Sequence, residues 1–149
     1  MKILIGVDDS PHSNAAVGFV TRMPWPPATR ALVVSSVRTP VAAYAEIYVP
    51  AAVPTDEVLA EQIRASGELV ARVEKELRAA GLEARATVMQ GDPREVLVEV
   101  AKQEGVDLVI VGSHGRTGLA KLVMGSVATH VTAHAPCSVL VVKLPGRVA

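Results

Sequence analysis

The chain has 149 residues, of which half are hydrophobic and a fifth are charged, a balance typical of a folded globular protein rather than a disordered one. Its 15 basic and 15 acidic residues give a net charge of zero, and no basic cluster stands out. The composition therefore favours neither a nucleic-acid partner nor binding to an anionic membrane. The length predicts one domain over residues 1–149.

The cysteine content and the opening segment predict the compartment. Cys137 is the single cysteine, so no intrachain disulfide can form and a reducing compartment is compatible. The opening MKILIGVDD has too short an apolar run for a signal peptide, and no run approaches membrane length. We therefore expect a cytoplasmic protein without membrane segments, in which Cys137 is inert core.

The first third of the chain alternates apolar runs with helix signals. Residues 3–7 predict a strand that is buried on both faces. Ser10 and Pro11 suit the N-cap and first position of a helix that ends before Pro24. Residues 31–37 predict a second strand. The segment 38–54 contains three prolines and both tyrosines without a clear period, which predicts a long loop.

A long helix and two further strand–helix units are predicted downstream. From Thr55 the apolar residues follow one helical stripe, and Gly81 suits the C-terminal cap. That stripe consists of Leu59, Ile63, Val70, Val73 and Leu77. Residues 84–89 alternate as a third strand. Asp92 as N-cap, with Glu95 three residues later, has the form of a capping box.

The last part of the chain completes the alternation. The helix after Asp92 ends at Gly105, residues 107–111 predict the fourth strand, and Ser138–Val142 predicts the fifth. The fold class is α/β: a single-domain, doubly wound, five-stranded parallel sheet of Rossmann-like type with helices on both faces. With strand order 3-2-1-4-5, the order reverses between the first and fourth strands, where such sheets bind ligands.

A glycine-rich stretch follows the fourth strand at that reversal. Its glycines are Gly112, Gly115, Gly118 and Gly125. Backbone amides can approach an anion closely where no β-carbon intervenes, and glycine also permits positive φ. After a helical turn over residues 119–124, a helix with Ser126 as its cap would add free N–H groups. Residues 112–115 and 125–127 therefore predict two anion-binding elements that face one phosphate chain.

Other motifs are missing or weak. The sequence has no GxxxxGK[ST] phosphate loop, and no GxGxxG follows the first strand. His130 and His134 have metal-ligand spacing on a helix, but the Glu of HExxH and a third ligand are lacking. The two histidines therefore do not favour a metal site.

The glycine pattern resembles the ATP-binding signature of the universal stress proteins. In this chain the signature reads Gly112-x2-Gly115-x9-Gly125-Ser126. The resemblance covers the whole chain, through the DDS after the first strand, the GDP that starts the third helix, VDLVIVGSHGR and the closing APCSVLVVK. It implies the same five-stranded fold, a dimer and a bound nucleotide. The segment 38–54 shares no family motif, which leaves the adenine side of the site undefined.

The resemblance also implies roles for individual residues. Asp8 would lie near the ribose and phosphates, and the backbone of Val37 would contact adenine. The residues around the phosphates would be Gly112, Gly115, Gly125, Ser126 and Val127. A Mg²⁺ or Mn²⁺ ion between Asp8 and the phosphates is compatible, because magnesium binds through one or two carboxylates plus substrate phosphates. The less favoured alternative is that Asp8 serves only the helix start.

Two neighbouring residues and the function itself have open interpretations. Arg116 either pairs with phosphate or lies in solvent, and His114 lines the pocket. The favoured function is a nucleotide-dependent sensor or regulator in the stress response that binds ATP, or else ADP, AMP or a cyclic nucleotide. The alternative is a slow ATPase or nucleotide-dependent transferase, for which Asp8, Asp9 and His114 are candidate bases without a recognised arrangement. An interaction module without nucleotide is disfavoured by the intact glycines.

The fifth strand predicts an assembly. In the order 3-2-1-4-5, Ser138–Val142 lies at a sheet edge and carries neither proline nor charge before Lys143. A bare edge exposes unpaired N–H and C=O groups that invite another strand. We expect a homodimer in which two fifth strands pair antiparallel around a two-fold axis. The alternative is that the tail 144–149 covers the edge.

Overall fold

A computed structural model describes residues 1–39, 56–116 and 124–144. The elements are β1 (Lys2–Gly6), α1 (Pro11–Arg22), β2 (Arg30–Val37), α2 (Asp56–Ala79), β3 (Glu83–Gln90), α3 (Pro93–Glu104), β4 (Leu108–Gly112), α4 (Ser126–His134) and β5 (Ser138–Val142). The strands pair in parallel in the order β3-β2-β1-β4-β5. The predicted α/β sheet and its strand order are confirmed. The predicted loop from residue 40 onwards, Gly118, and the predicted helical turn up to residue 123 lie outside the described residues.

The two faces of the sheet are covered by different helices. The central strand β1 sends Ile3 and Ile5 to the face under α1 and α2, and Leu4 to the face under α3 and α4. All three side chains are fully buried. This two-sided burial explains why β1 is continuously apolar. The parallel pairing of β1 with β4 places their carboxyl ends side by side.

Local capping chemistry determines where α1 and α3 begin. The Ser10 side chain accepts a hydrogen bond from the Ser13 N–H at 3.1 Å, and Pro11 follows as predicted. Asp92 caps α3, but its carboxylate accepts from the Arg94 N–H at 2.9 Å. The Glu95 carboxylate lies 3.2 Å from Nε2 of His130 on α4. The pair of reciprocal bonds expected of a capping box is therefore replaced by one cap bond and a contact between helices.

The start of α4 differs by one residue from the prediction. Gly125, not Ser126, is the N-cap, with extended backbone at φ −60° and ψ 156°. The Gly125 carbonyl accepts the first intrahelical bond, from Thr129 N–H at 3.0 Å, which is what defines the cap position. Ser126 is the first helical residue and its side chain is exposed.

Candidate functional site

Asp8 and Gly115 meet where the order of the strands reverses. A β-carbon added to Gly115 would lie 2.9 Å from Oδ2 of Asp8. The other carboxylate oxygen, Oδ1, accepts from the Ser10 N–H at 3.1 Å, and the Asp8 N–H donates to Oγ of Ser13 at 3.1 Å. Asp8 therefore does support the start of α1 with one oxygen. Its second oxygen faces the glycine turn.

Gly112 allows α1 to pack directly on the end of β4. A β-carbon at this position would lie 2.7 Å from the carbonyl carbon of His12 and 2.9 Å from the backbone nitrogen of Ser13. Real β-carbons essentially never approach backbone atoms this closely, so only glycine fits without a shift. The sequence motif assigned this glycine to a phosphate, and the structure adds a contact between α1 and β4.

Gly125 joins the start of α4 to the turn after β4. Its N–H donates to the Ser113 carbonyl at 2.8 Å, and an added β-carbon would lie 3.1 Å from that oxygen and from Cα of His114. The two glycine elements of the sequence motif are therefore in direct contact.

The described glycines of this stretch, Gly112, Gly115 and Gly125, do not have positive φ. Among the residues that the structure describes, the glycines with positive φ are Gly81, Gly91 and Gly105. All three lie outside the glycine-rich stretch. Close backbone approach, rather than a left-handed conformation, is the reason for glycine at the described positions of this stretch.

The candidate residues at the start of α4 offer a ligand mainly backbone N–H groups. Gly125 has no side chain with which to cap the helix, so the N–H groups of Val127 and Ala128, the positions that a capping side chain bonds, receive no bond from the cap residue. The Val127 side chain packs against the core under α3 and α4. Arg116 is exposed beside the turn. An anion at this helix start would meet N–H groups rather than side chains.

Val37 lies at the carboxyl end of β2 and is connected to the turn before α3. Its carbonyl accepts from the Gly91 N–H at 2.9 Å, while the Ser36 hydroxyl donates to the Gly91 carbonyl at 2.7 Å. The residue is 4% exposed. One lone pair of the Val37 carbonyl oxygen is therefore engaged. An adenine N–H could donate only to the second lone pair.

A charged cluster lies next to this turn. The Arg94 guanidinium donates two hydrogen bonds to the Asp92 carboxylate, at 3.0 and 2.7 Å. These bonds, assisted by the positive charge of Arg38, lower the pKa of Asp92 to about 2. Asp92 is thus held as a carboxylate at neutral pH.

The sequence interpretation missed two polar residues at the site, His12 and Ser113. The Ser113 hydroxyl lies 3.0 Å from Nδ1 of His12 and 3.1 Å from Nδ1 of His114. The imidazole rings are tilted by 50° with their centroids 4.9 Å apart. His12 and Ser113 are 101 residues apart in sequence, and the packing of α1 against the end of β4 brings them together.

The second pair of histidines is arranged differently. The rings of His130 and His134 stack 4.1 Å apart on α4, and Glu95 contacts the first of them. In the three described ranges, no group of three or more His, Cys, Asp or Glu side chains is positioned to hold a metal ion.

Burial raises the pKa of the half-buried Cys137 thiol. Across the same ranges, no helix has the length and apolar character needed to cross a membrane.

Comparison with known sequences identifies close relatives of this fold. The sequence model of the universal stress protein family matches residues 1–143. Universal stress protein MJ0531 of Methanocaldococcus jannaschii is 36% identical over 92 residues, which are 61% of this chain and 54% of that protein. A universal stress protein of Thermus aquaticus is 30% identical over 142 residues, 95% of this chain and 97% of the relative. The match to MJ0531 thus spans about half of its length, whereas the match to the Thermus protein is nearly complete.

Solved structures show the same fold. The structure of MJ0577 from Methanocaldococcus jannaschii superimposes with a TM-score of 0.83 at 26% identity, covering 97% of this chain and 96% of that one. A universal stress protein of Arabidopsis thaliana with AMP bound has a TM-score of 0.68 at 18% identity, covering 98% and 93%. A universal stress protein in complex with cAMP has a TM-score of 0.66 at 19% identity, covering 96% of each chain. Because the family match extends over nearly the entire sequence, this chain belongs to the universal stress protein family.

Proposed function

We propose that this protein binds an adenine nucleotide between Asp8, residues 112–116 and the start of α4, and acts as a nucleotide-dependent sensor or regulator in the stress response. The observation that carries this proposal is the hydrogen bond from Gly125 N–H to the Ser113 carbonyl. It joins the two glycine elements at the carboxyl ends of the strands, where α/β folds of this type bind ligands. Two proteins of the same fold that hold AMP and cAMP support an adenine nucleotide.

ATP is the nucleotide that we favour, with ADP, AMP and a cyclic nucleotide as alternatives. Two adjacent groups of backbone N–H donors suit a chain of phosphates better than a single phosphate. In this proposal Gly112, Gly115, Gly125, Ser126 and Val127 surround the phosphates. Arg116 lies at the rim, and the backbone of Val37 borders the adenine.

A divalent cation fits the free oxygen of Asp8. Oδ1 accepts from Ser10 N–H, whereas Oδ2 faces Gly115. Magnesium usually binds proteins through one or two carboxylates plus substrate phosphates, so Asp8 would hold Mg²⁺ or Mn²⁺ only together with the nucleotide. The ion would neutralise phosphate charge next to the Asp8 carboxylate.

Calorimetric titration tests the proposed binding. ATP, ADP, AMP and cAMP are titrated separately into the protein, each in Mg²⁺ and in EDTA, with circular dichroism as the check on folding. We expect ATP in Mg²⁺ to bind most tightly. Absence of heat from all four nucleotides at millimolar concentration, with folded protein, would contradict the proposal. Phosphate release over an hour distinguishes a binding protein from a slow ATPase.

We also propose a homodimer formed through β5. In the described residues, β5 pairs with β4 on one side only. Four of its five residues are half-buried and none is fully buried. An antiparallel second copy would complete both open edges in one closed interface.

A single domain over residues 1–149 and a cytoplasmic location complete the proposal. The location is proposed because the one cysteine needs no oxidising compartment.

A further inference from the structure

An open cavity lies at the amino ends of the first three strands. It has a volume of about 280 Å³ and is lined by the opening residues of β1, β2 and β3, among them Lys2, Arg30 and Arg85. Because the strands are parallel, this end of the sheet is opposite to the carboxyl ends, where the proposed nucleotide site lies. The cavity is therefore separate from the proposed nucleotide site.

The register of the strands places the charged residues of the cavity on one face of the sheet. Lys2 is the register partner of Arg30, which is in turn the partner of Glu83. Two residues further along, Leu32 pairs with Arg85. Leu32 packs into the core under α3 and α4, and strand residues two positions apart point to the same face. The charged side chains therefore surround Leu32 on the face that α3 and α4 cover.

Two of the three cations are held by one carboxylate. Oε2 of Glu104, the last residue of α3, lies 2.9 Å from Nζ of Lys2 and also accepts a hydrogen bond from the Arg85 guanidinium. Lys2 donates in addition to the Glu104 carbonyl at 2.6 Å. These contacts orient Lys2 and Arg85 in the cavity wall.

The third cation, Arg30, has no such partner. In the part of the chain that the structure describes, its side chain makes neither a hydrogen bond nor an ion pair, although Glu83 is its neighbour on β3. Its neighbour on β1 is Lys2, and like charges on paired residues of adjacent strands destabilise a sheet. A guanidinium carries five N–H donors in a planar fork that matches carboxylate and phosphate groups. Arg30 is therefore available to an anion.

The charge and size of the cavity favour a small anionic ligand. Lys2, Arg30 and Arg85 contribute three positive charges, against one negative charge from Glu83 in the lining and one from Glu104 beside it. The balance is one positive charge. Ligand pockets generally begin at about 300 Å³, so this cavity suits a small molecule.

We propose that this cavity is a second ligand site of the protein and binds a small organic anion through Arg30, Arg85 and Lys2. The recognised group is an oxyanion, a carboxylate or a phosphate, which accepts charge-assisted hydrogen bonds from Arg30 and from the remaining N–H groups of Arg85. Leu32, which is buried in the cavity lining, would contact the apolar part of the ligand. The proposal does not depend on nucleotide binding.

An NMR titration of the ¹⁵N-labelled protein tests the proposal. Sodium citrate and sodium phosphate are added separately, with sodium chloride holding the ionic strength constant. For at least one of the two anions we expect saturable shifts of the backbone amides of residues 30–32 and 83–85, with a dissociation constant of about 1 mM. Saturation by citrate alone indicates a carboxylate ligand, and saturation by phosphate alone indicates a phosphate ester.

Two substitutions with opposite effects on charge assign the site. Arg30→Gln should weaken anion binding about tenfold, because it removes a cation and its planar fork. Glu83→Gln should strengthen anion binding about threefold, because it removes a carboxylate from the lining. Arg22→Gln, at the end of α1 on the other face of the sheet, is the matched control and should bind as wild type does.

The proposal requires both effects in folded protein, which the amide spectra of the variants verify. Shifts that remain linear at tens of millimolar for both anions would overturn it. Wild-type affinity in either Arg30→Gln or Glu83→Gln would also overturn it. Phosphate shifts confined to residues 112–116, without a response to either anion at residues 30–32 and 83–85, would place anion binding at the glycine turn alone and would contradict the second site.

Discussion

Gly112 at the end of β4 lies against His12 in the first turn of α1, so closely that a β-carbon on Gly112 would be 2.7 Å from the carbonyl carbon of His12. Both residues belong to segments that the glycine motif and the helix start had identified separately. Their contact links the proposed nucleotide site to the packing of α1. A change at Gly112 should therefore affect stability as well as binding.

Gly112→Ala should lower the free energy of unfolding by about 1–3 kcal/mol, because the backbone of α1 must move to accommodate the methyl group. Urea denaturation measures the change. Gly67→Ala on α2 is the matched control, since an added β-carbon there meets nothing within 4 Å. Unaltered stability in Gly112→Ala would show that the close approach of α1 to β4 is absent in solution.

Asp8→Asn keeps an oxygen that can accept from Ser10 N–H but removes the charge. In Mg²⁺ we expect ATP affinity to fall about tenfold, about 1.4 kcal/mol. In EDTA the loss should vanish or reverse, because an unneutralised carboxylate repels phosphate. Calorimetry in both conditions measures this, with the exposed Asp9→Asn as control. An equal loss with and without metal would favour a direct bond from Asp8 to the ribose, and no loss in either would remove Asp8 from the site.

Asp92→Asn tests the pH dependence of stability. The carboxylate has a pKa of about 2 in the folded protein, below its ordinary value of 3.8. Because the folded-state pKa is depressed, the stabilisation is complete above about pH 4 and is lost as the pH falls through about 2. Asn retains the capping function but not the charge. The free energy of unfolding of wild type should therefore exceed that of the variant by about 1 kcal/mol at pH 6, after allowance for solvent screening. Thermal melts from pH 6 to pH 2 should show this advantage disappear; an advantage that persists at pH 2 would contradict the assignment.

Val141→Pro tests the dimer through β5. The Val142 carbonyl accepts from Ser113 N–H at 2.8 Å, so the N–H of the preceding Val141 points to the open edge, because the backbone groups of successive strand residues alternate sides. Proline removes that donor without removing a bond to β4. Light scattering should show a dimeric wild type, a dimeric Val141→Thr control and a monomeric Val141→Pro with a cooperative melt. A monomeric wild type at micromolar concentration would contradict the proposed interface.

Patterns that depend on neighbouring residues predicted the fold well. Ser10 with Pro11, and Asp92 with Pro93, mark the starts of α1 and α3 because capping uses bonds within one helical turn. The continuous apolar run of β1 marks a strand that is buried on both faces. These signals act over a few residues, and the parallel topology follows from their order.

Contacts made across the sheet could not be predicted in the same way. The contacts of Ser113 with both His12 and His114, and the backbone approach of His12 to Gly112, depend on how α1 packs on the end of β4. The cap of α4 was misplaced by one residue because Ser126 has the better capping side chain, whereas the bond from Gly125 N–H to Ser113 decides the backbone path. The nucleotide contacts themselves stay predictions.

The most direct test of nucleotide binding at the proposed site is a calorimetric titration of ATP into wild type, Gly115→Val and Gly67→Val. The valine at position 115 would occupy the space in front of Oδ2 of Asp8 and block the approach of phosphate to the turn. We predict at least a tenfold loss of ATP affinity in Gly115→Val, about 1.4 kcal/mol, with the fold retained and with Gly67→Val equal to wild type. Undiminished ATP affinity in folded Gly115→Val would contradict nucleotide binding at this site.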